Sequence, residues 1–146
     1  GNYGERFVDS TLGIQGENRL KFSNYLGEVL DFALELDYRE ILIVGHIGKM
    51  VKVAGGMMNT HSHTGDFRME MFACYAGLYG ANSRVIGEIL SCVTTEQAVD
   101  VLIREKLEKK VIRKISERAL FYINKRVDNR IKINLIIYSN NHGILN

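Results

Sequence analysis

The chain has 146 residues, of which 46% are hydrophobic and 25% charged, the size and balance of one globular domain. A chain of this length buries roughly two-thirds of the surface it exposes when unfolded, so a core needs neither a disulfide nor a metal. No run of about 18 apolar residues is present to span a membrane, and no charged-then-apolar leader opens the sequence.

The net charge of +2 is unevenly spread, with an excess of acids before residue 93 and of bases after it. The basic C-terminal third is interleaved with Glu105, Glu108 and Glu117, which reads as a solvated helix face rather than a nucleic-acid surface. Cys74 and Cys92 sit among apolar neighbours without metal-ligand spacing, as buried thiols in a reducing, cytoplasmic compartment would. Proline is absent and there are 14 glycines, so glycines and caps must punctuate the fold.

The opening Gly1-Asn2-Tyr3-Gly4 reads as a turn continuing from something upstream, which suggests a piece of a longer protein. A short helix is expected from Glu5 to about Leu12, then a loop closed by Gly13 and Gly16, and a short strand at Leu20-Lys21-Phe22. Ser23 or Asn24 caps a helix carrying Leu26, Val29, Leu30 and Ala33 on one face and ending near Leu36-Asp37. Arg39 to Val44 is a β-branched apolar run of the kind buried on both faces of a parallel sheet. After Gly45-His46-Ile47-Gly48, residues Met50, Val51, Val53 and Ala54 make a short helix that stops at Gly55-Gly56. Asp66 caps a helix with Met69, Phe72, Ala73 and Ala76 inward and Gly80 past its end. A short segment, Arg84 to Leu90, precedes a helix capped by Thr94 or Thr95 and beginning near Glu96. From Leu107, the stripe Val111, Ile112, Ile115, Ala119, Tyr122 and Ile123 marks a long helix, and Ile131 to Ser139 alternates as a strand. The expected fold is therefore α/β: a single domain over 1–146 whose small, mostly parallel sheet is covered by helices on both faces, three-layered and Rossmann-like.

Ligands on such sheets bind beyond the carboxyl ends of the strands, where Gly45, His46, Gly48 and Lys49 fall. The turn is no Walker A loop, since its first glycine lies too close to Gly48-Lys49 and Met50 stands where Ser or Thr should hold magnesium; no G-x-G-x-x-G is present either. Two readings stay open: a tight strand-to-helix turn, or a helix N-terminus receiving an anion with help from Lys49 and Lys52. Next comes a polar knot, Asn59, Thr60, His61, Ser62 and His63, followed by Asp66, Arg68 and Glu70. A metal site built from His46, His61, His63 and a carboxylate has weak support from spacing. An imidazole at His61 acting as hydrogen-bond partner or general base suits the pattern better. Arg68 either faces the loop or pairs with a surface acid.

The string Gly45-His46-Ile47-Gly48-Lys49-x-Val51-Lys52-x-Ala54-x-Gly56, then Asn59-Thr60-His61-Ser62, then Asp66-x-Arg68-Met69-Glu70, resembles the signature of the CbiD family. Gly1 to Glu5 and Lys21 to Gly27 are also similar to it, whereas His63-Thr64-Gly65 departs from it. The resemblance implies C(1)-methylation of cobalt-precorrin-5B, in anaerobic cobalamin biosynthesis, by S-adenosylmethionine. Cobalt would enter only as part of the tetrapyrrole substrate, with no metal held by the protein. Family members are more than twice this length, so the resemblance also implies a C-terminal part that works with a missing N-terminal domain and is inactive alone. It points to Gly45, His46, Gly48, Lys49, Lys52, Asn59, Thr60, Ser62, Asp66, Arg68 and Glu70 as substrate- or cofactor-binding residues, and to His61 as the catalytic candidate. Lys49, Lys52 and Arg68 suit the carboxylates of such a substrate. Oligomeric state is not legible in the residues.

Overall fold

The structure, a computed structural model, describes Asp9 and residues 19–146. Apart from Asp9, the helix expected over Glu5 to Leu12 and the glycine loop after it lie outside the described residues. The described chain runs α1 (Leu26–Glu35), β1 (Glu40–His46), α2 (Ile47–Ala54), α3 (Arg68–Leu78), α4 (Ser83–Leu90), α5 (Thr95–Arg104), α6 (Glu108–Arg126), β2 (Lys132–Ser139) and β3 (Gly143–Ile144). Leu20 to Phe22 form no strand; they lead into a turn closed by the Tyr25 amide on the Phe22 carbonyl.

Side-chain caps set three of the six helix starts among the described residues. Asn82 Oδ1 accepts from the Val85 amide at the start of α4. Thr94 and Gln97 form a reciprocal capping box at the start of α5. The first turn of α1 is different, because neither Ser23 nor Asn24 caps it. Ser23 takes a left-handed conformation, with φ +48, and the Gly27 amide is satisfied instead by the Met58 carbonyl of a distant loop.

The sheet corrects the expected architecture. Among the described residues it has three strands in the order β1-β2-β3, with β1 and β2 parallel and β3 antiparallel to β2. Among the described residues, six helices and one parallel pair make an α/β fold, but not a three-layer Rossmann-like sandwich. The physical reason lies in the burial of β1. Ile43 is buried while Leu42 is 41% exposed, and Leu42 sits opposite Asn134 of β2, also exposed. Residues opposite one another point to the same side, so this side of the sheet is open there. Of the apolar residues in the run Arg39 to Val44, expected to be buried on both faces, only Ile43 is buried; Ile41 and Val44 are half-buried and Leu42 is exposed.

Helical apolar surface is buried chiefly against other helices. α2 packs along α6, both touch β2, and α3, α4 and α5 pack on one another around them. The core joins Ile43 and Ile137 of the sheet to Met50, Val51, Phe72, Ile89, Leu102, Ile112 and Ile115, among others. Phe72, Ala73 and Ala76 are buried on α3 as periodicity requires. Cys92 is half-buried, whereas Cys74 is exposed on the opposite side of α3 and corrects the reading of two buried thiols. Among the described residues no helix is long and apolar enough to cross a membrane.

Phe72 is fully buried, so Phe72→Ala should cost about 3–5 kcal/mol through lost transfer energy and a residual cavity. Urea unfolding measures this as a lower midpoint at unchanged slope; a loss below about 1 kcal/mol would mean α3 is not anchored as described.

Candidate functional site

The strand-end turn is organised by its histidine. His46 precedes α2 in an extended conformation, and its Nδ1 accepts from the Gly48 amide at 3.0 Å, an N-cap made by an imidazole. That bond leaves the ring proton on Nε2, which donates to Glu96 Oε1 at 3.0 Å. Both ring nitrogens of His46 therefore have partners within the protein. The ring also meets Tyr138 edge-on, with centroids 5.4 Å apart.

Glu96, in the first turn of α5, gathers this end of the sheet. Its Oε2 accepts from Ser139 Oγ at 2.9 Å, and its Oε1 from the Asn140 amide at 2.9 Å. Burial pushes the Glu96 carboxyl upward, but these donors and His46 outweigh it and hold the group below its ordinary range. A carboxylate of the protein itself thus lies against the turn where sequence suggested an incoming anion. Gly48 faces the same helix, since a Cβ there would lie 3.3 Å from Thr95 Oγ1. No spacing signal links Glu96 to His46. The clue was topological, because a strand parallel to β1 must end at the same edge and bring Ser139 beside His46.

The polar knot forms a second centre at the other end of α2. Lys52 is only 4% exposed, and its Nζ donates to the carbonyls of Gly65 at 3.0 Å and Thr60 at 3.4 Å. Thr60, also buried, donates its amide to the Asn24 carbonyl at 2.9 Å and its hydroxyl to Asn24 Oδ1. Lys49 Nζ donates to the Ser23 carbonyl at 2.6 Å, and burial lowers its ammonium below the usual lysine value. The 23–25 turn, the loop and α2 are thereby locked together. Asn59 Oδ1 accepts from the His61 amide, and His61 Nδ1 accepts from the His63 amide at 3.2 Å. His61, Ser62 and His63 are exposed, with the two imidazole centroids 4.9 Å apart.

Asp66 does not cap α3 at the expected place, since Phe67 occupies the N-cap position, but Asp66 Oδ1 accepts from the Arg68 amide. The two side chains form a fork, Nε to Oδ1 at 2.7 Å and Nη2 to Oδ2 at 2.6 Å. The hydrogen bonds from Arg68 hold the Asp66 carboxyl down to about 2. Arg68 thus pairs with its own neighbouring acid, and Glu70 is exposed. Gly45, His46, Gly48 and Lys49 belong to one end of α2, and Lys52, Asn59, Thr60, His61, Ser62, Asp66 and Arg68 to the loop at its other end. Among the described residues no group of three or more His, Cys, Asp or Glu converges as a metal ion would need.

Two outcomes follow from this geometry. Glu96→Ala should cost about 1–3 kcal/mol by leaving several donors without an acceptor. Glu96→Gln, which keeps an acceptor oxygen, should cost less in the same urea assay; equal stability of all three proteins would sink the assignment. The Asp66–Arg68 fork contributes fully above the ordinary Asp value of 3.8 and is lost as pH falls through about 2. The gain is modest because Asp66 is 43% exposed. Asp66→Asn should therefore flatten the acid limb of stability between about pH 4 and 2, and an unchanged limb would contradict the fork.

Comparison with known proteins bears on both ends of α2. The chain is 38% identical over 139 residues to a cobalt-precorrin-5B C(1)-methyltransferase of Ruminiclostridium cellulolyticum, covering 95% of this chain and 36% of the relative. It is 38% identical over 131 residues to the protein of the same name from Photorhabdus laumondii, covering 85% of this chain and 35% of that one. A third, from Alkaliphilus metalliredigens, is 36% identical over 145 residues, covering 99% and 38%. The chain thus spans well under half the length of these relatives. No solved structure matches it. Residues 59–146, which begin at the polar loop, match the CbiD C-terminal domain, and the chain belongs to the CbiD family.

Proposed function

We propose that the chain is part of an S-adenosylmethionine-dependent methyltransferase that methylates C-1 of cobalt-precorrin-5B, a step in making cobalamin. The observation that carries this reading is the family membership, with three relatives bearing that activity in their names. Because the chain spans well under half of those relatives, the whole reaction is proposed for a protein of their length. In that protein the chain is the C-terminal α/β domain, cytoplasmic, and inactive without the rest.

A methyl group on a sulfonium is already activated toward a nucleophilic ring carbon, so the protein's share is alignment and exclusion of water. The exposed loop is suited to that share. With Nδ1 of His61 accepting from the His63 amide, Nε2 carries the ring proton. His61 therefore works as a hydrogen-bond donor to a substrate carboxylate rather than as a base from Nε2. Ser62 supplies a hydroxyl. Glu70 has no ion-pair partner among the described residues and supplies a carboxylate for the ribose or ammonium of the donor. Asn59, Thr60, Lys52, Asp66 and Arg68 hold the loop in shape, and Gly45, His46, Gly48 and Lys49 fix the neighbouring strand end. Cobalt enters with the substrate.

Isothermal calorimetry of the chain with S-adenosylhomocysteine tests the reading. Saturable one-to-one binding, weakened about tenfold by Glu70→Gln through loss of a charge-assisted contact, is the expected result. Binding of a corrinoid without any binding of S-adenosylhomocysteine would instead make the chain a non-catalytic tetrapyrrole-binding module. Stoichiometric metal in protein purified without added ions would count against both.

A further inference from the structure

Arginines that could meet a ligand in this protein are mostly committed to acids. Arg68 forks onto Asp66, Arg104 onto Glu88 and Arg126 onto Asp31. Arg118, half-buried on α6, is different. Its Nη2 donates to the Tyr122 hydroxyl at 3.0 Å, and its guanidinium carbon lies 5.0 Å from the ring centroids of both Phe121 and Tyr122. Those rings meet edge-on at 5.2 Å. Among the described residues no carboxylate pairs with Arg118.

The position of this group matters as much as its charge. The Tyr122 ring rests on Gly56, where a Cβ would come within 3.1 Å of it, and Gly56 has φ +91. Arg118 is therefore tied, through Tyr122, to the glycine pair from which the polar loop departs. A guanidinium already held against two rings loses little freedom when an anion binds, and it keeps N–H donors for a planar carboxylate. The Tyr122 oxygen accepts from Arg118, which leaves the hydroxyl proton to donate. Lys114 and Lys110 continue the same stripe at i−4 and i−8, so the cations recur about every 6 Å along the helix. Lys110 lies over the Tyr79 ring, and Lys114 pairs with Glu117 at 3.6 Å.

We propose that Arg118, with the Tyr122 hydroxyl, is a carboxylate subsite that receives one acidic arm of a polycarboxylate ring, with Lys114 and Lys110 taking neighbouring arms. This rests on the reading of the substrate as a corrinoid precursor. The test is an absorbance titration of the chain with a cobalt corrinoid bearing free side-chain carboxylic acids and with the same ring as its methyl esters. The free acid should bind at least about tenfold tighter than the ester. Arg118→Gln should weaken acid binding about 10- to 100-fold and leave ester binding unchanged, the range expected for a charge-assisted contact. Arg118→Lys should recover part of the loss, and Arg130→Gln, in the turn between α6 and β2, should change nothing. Far-UV circular dichroism and thermal midpoints confirm that each variant is folded. Wild-type affinity in Arg118→Gln, or equal binding of acid and ester, overturns the subsite while leaving the corrinoid reading standing. Failure of the wild-type chain to bind either ring overturns that reading and the subsite with it.

Discussion

A lysine ammonium taken out of water must find oxygen atoms, because leaving its charge unsolvated costs several kcal/mol. Lys52 is 4% exposed, and the oxygens it finds are the carbonyls of Gly65 and Thr60. That requirement turns the loop inward at two points and leaves the residues between them, His61 to Thr64, projecting into solvent. Thr60, held from one side by Lys52, grips Asn24 from the other, so the start of α1 is set by the same constraint. One buried charge on a short helix thereby gives shape to a loop with no regular structure of its own.

The two ends of α2 use opposite logic. At its N-terminus the protein supplies its own acceptors, His46 and then Glu96, and the turn is closed by internal partners. At its C-terminus it supplies backbone oxygens to a cation and leaves imidazole, hydroxyl and carboxylate groups outward. A helix N-terminus is a ready anion site in general, but here an internal carboxylate stands beside it. The cations that sequence nominated are similarly engaged: Lys49 with Ser23, Lys52 with the loop, Arg68 with Asp66. Arg118 was hidden in the sequence because it reads as one more charge in a basic helix. Only the pair of aromatic rings beside it distinguishes it from its neighbours.

Local patterns were therefore legible where local physics decides. The cap at Thr94, one of the two threonines expected there, the stripe from Val111 to Ile123, and Phe72 with Ala73 and Ala76 all stand where periodicity and capping put them. The strands at Arg39 to Val44 and Ile131 to Ser139 were legible as strands, but not what covers them. An apolar run has the same composition whether one face or two are buried, and Leu42 shows which applies only once Asn134 stands opposite it. β3 spans two residues, too few for any period to register. In the site, the sequence leaves Arg68 either facing the loop or pairing with a surface acid, and the structure makes that acid Asp66. The His46–Glu96 contact joins residues fifty apart and depends on how α5 meets the sheet.

The pairing of β1 with β2 has a consequence for synthesis. The partners Glu40 and Lys132 lie about ninety residues apart, and among the described residues β2 is the only strand beside β1. At roughly 5–20 residues per second, the run Ile41 to Val44 waits on the order of 5–20 s after translation before its partner is made. During that interval an apolar strand with open edges is a template for pairing with other chains. Helix α2, which follows β1 directly and packs on it, is the earliest element able to cover its inner side. The pairing of β1 with β2 is thus a long-range contact that closes after the helices between them have been made, which favours slow folding.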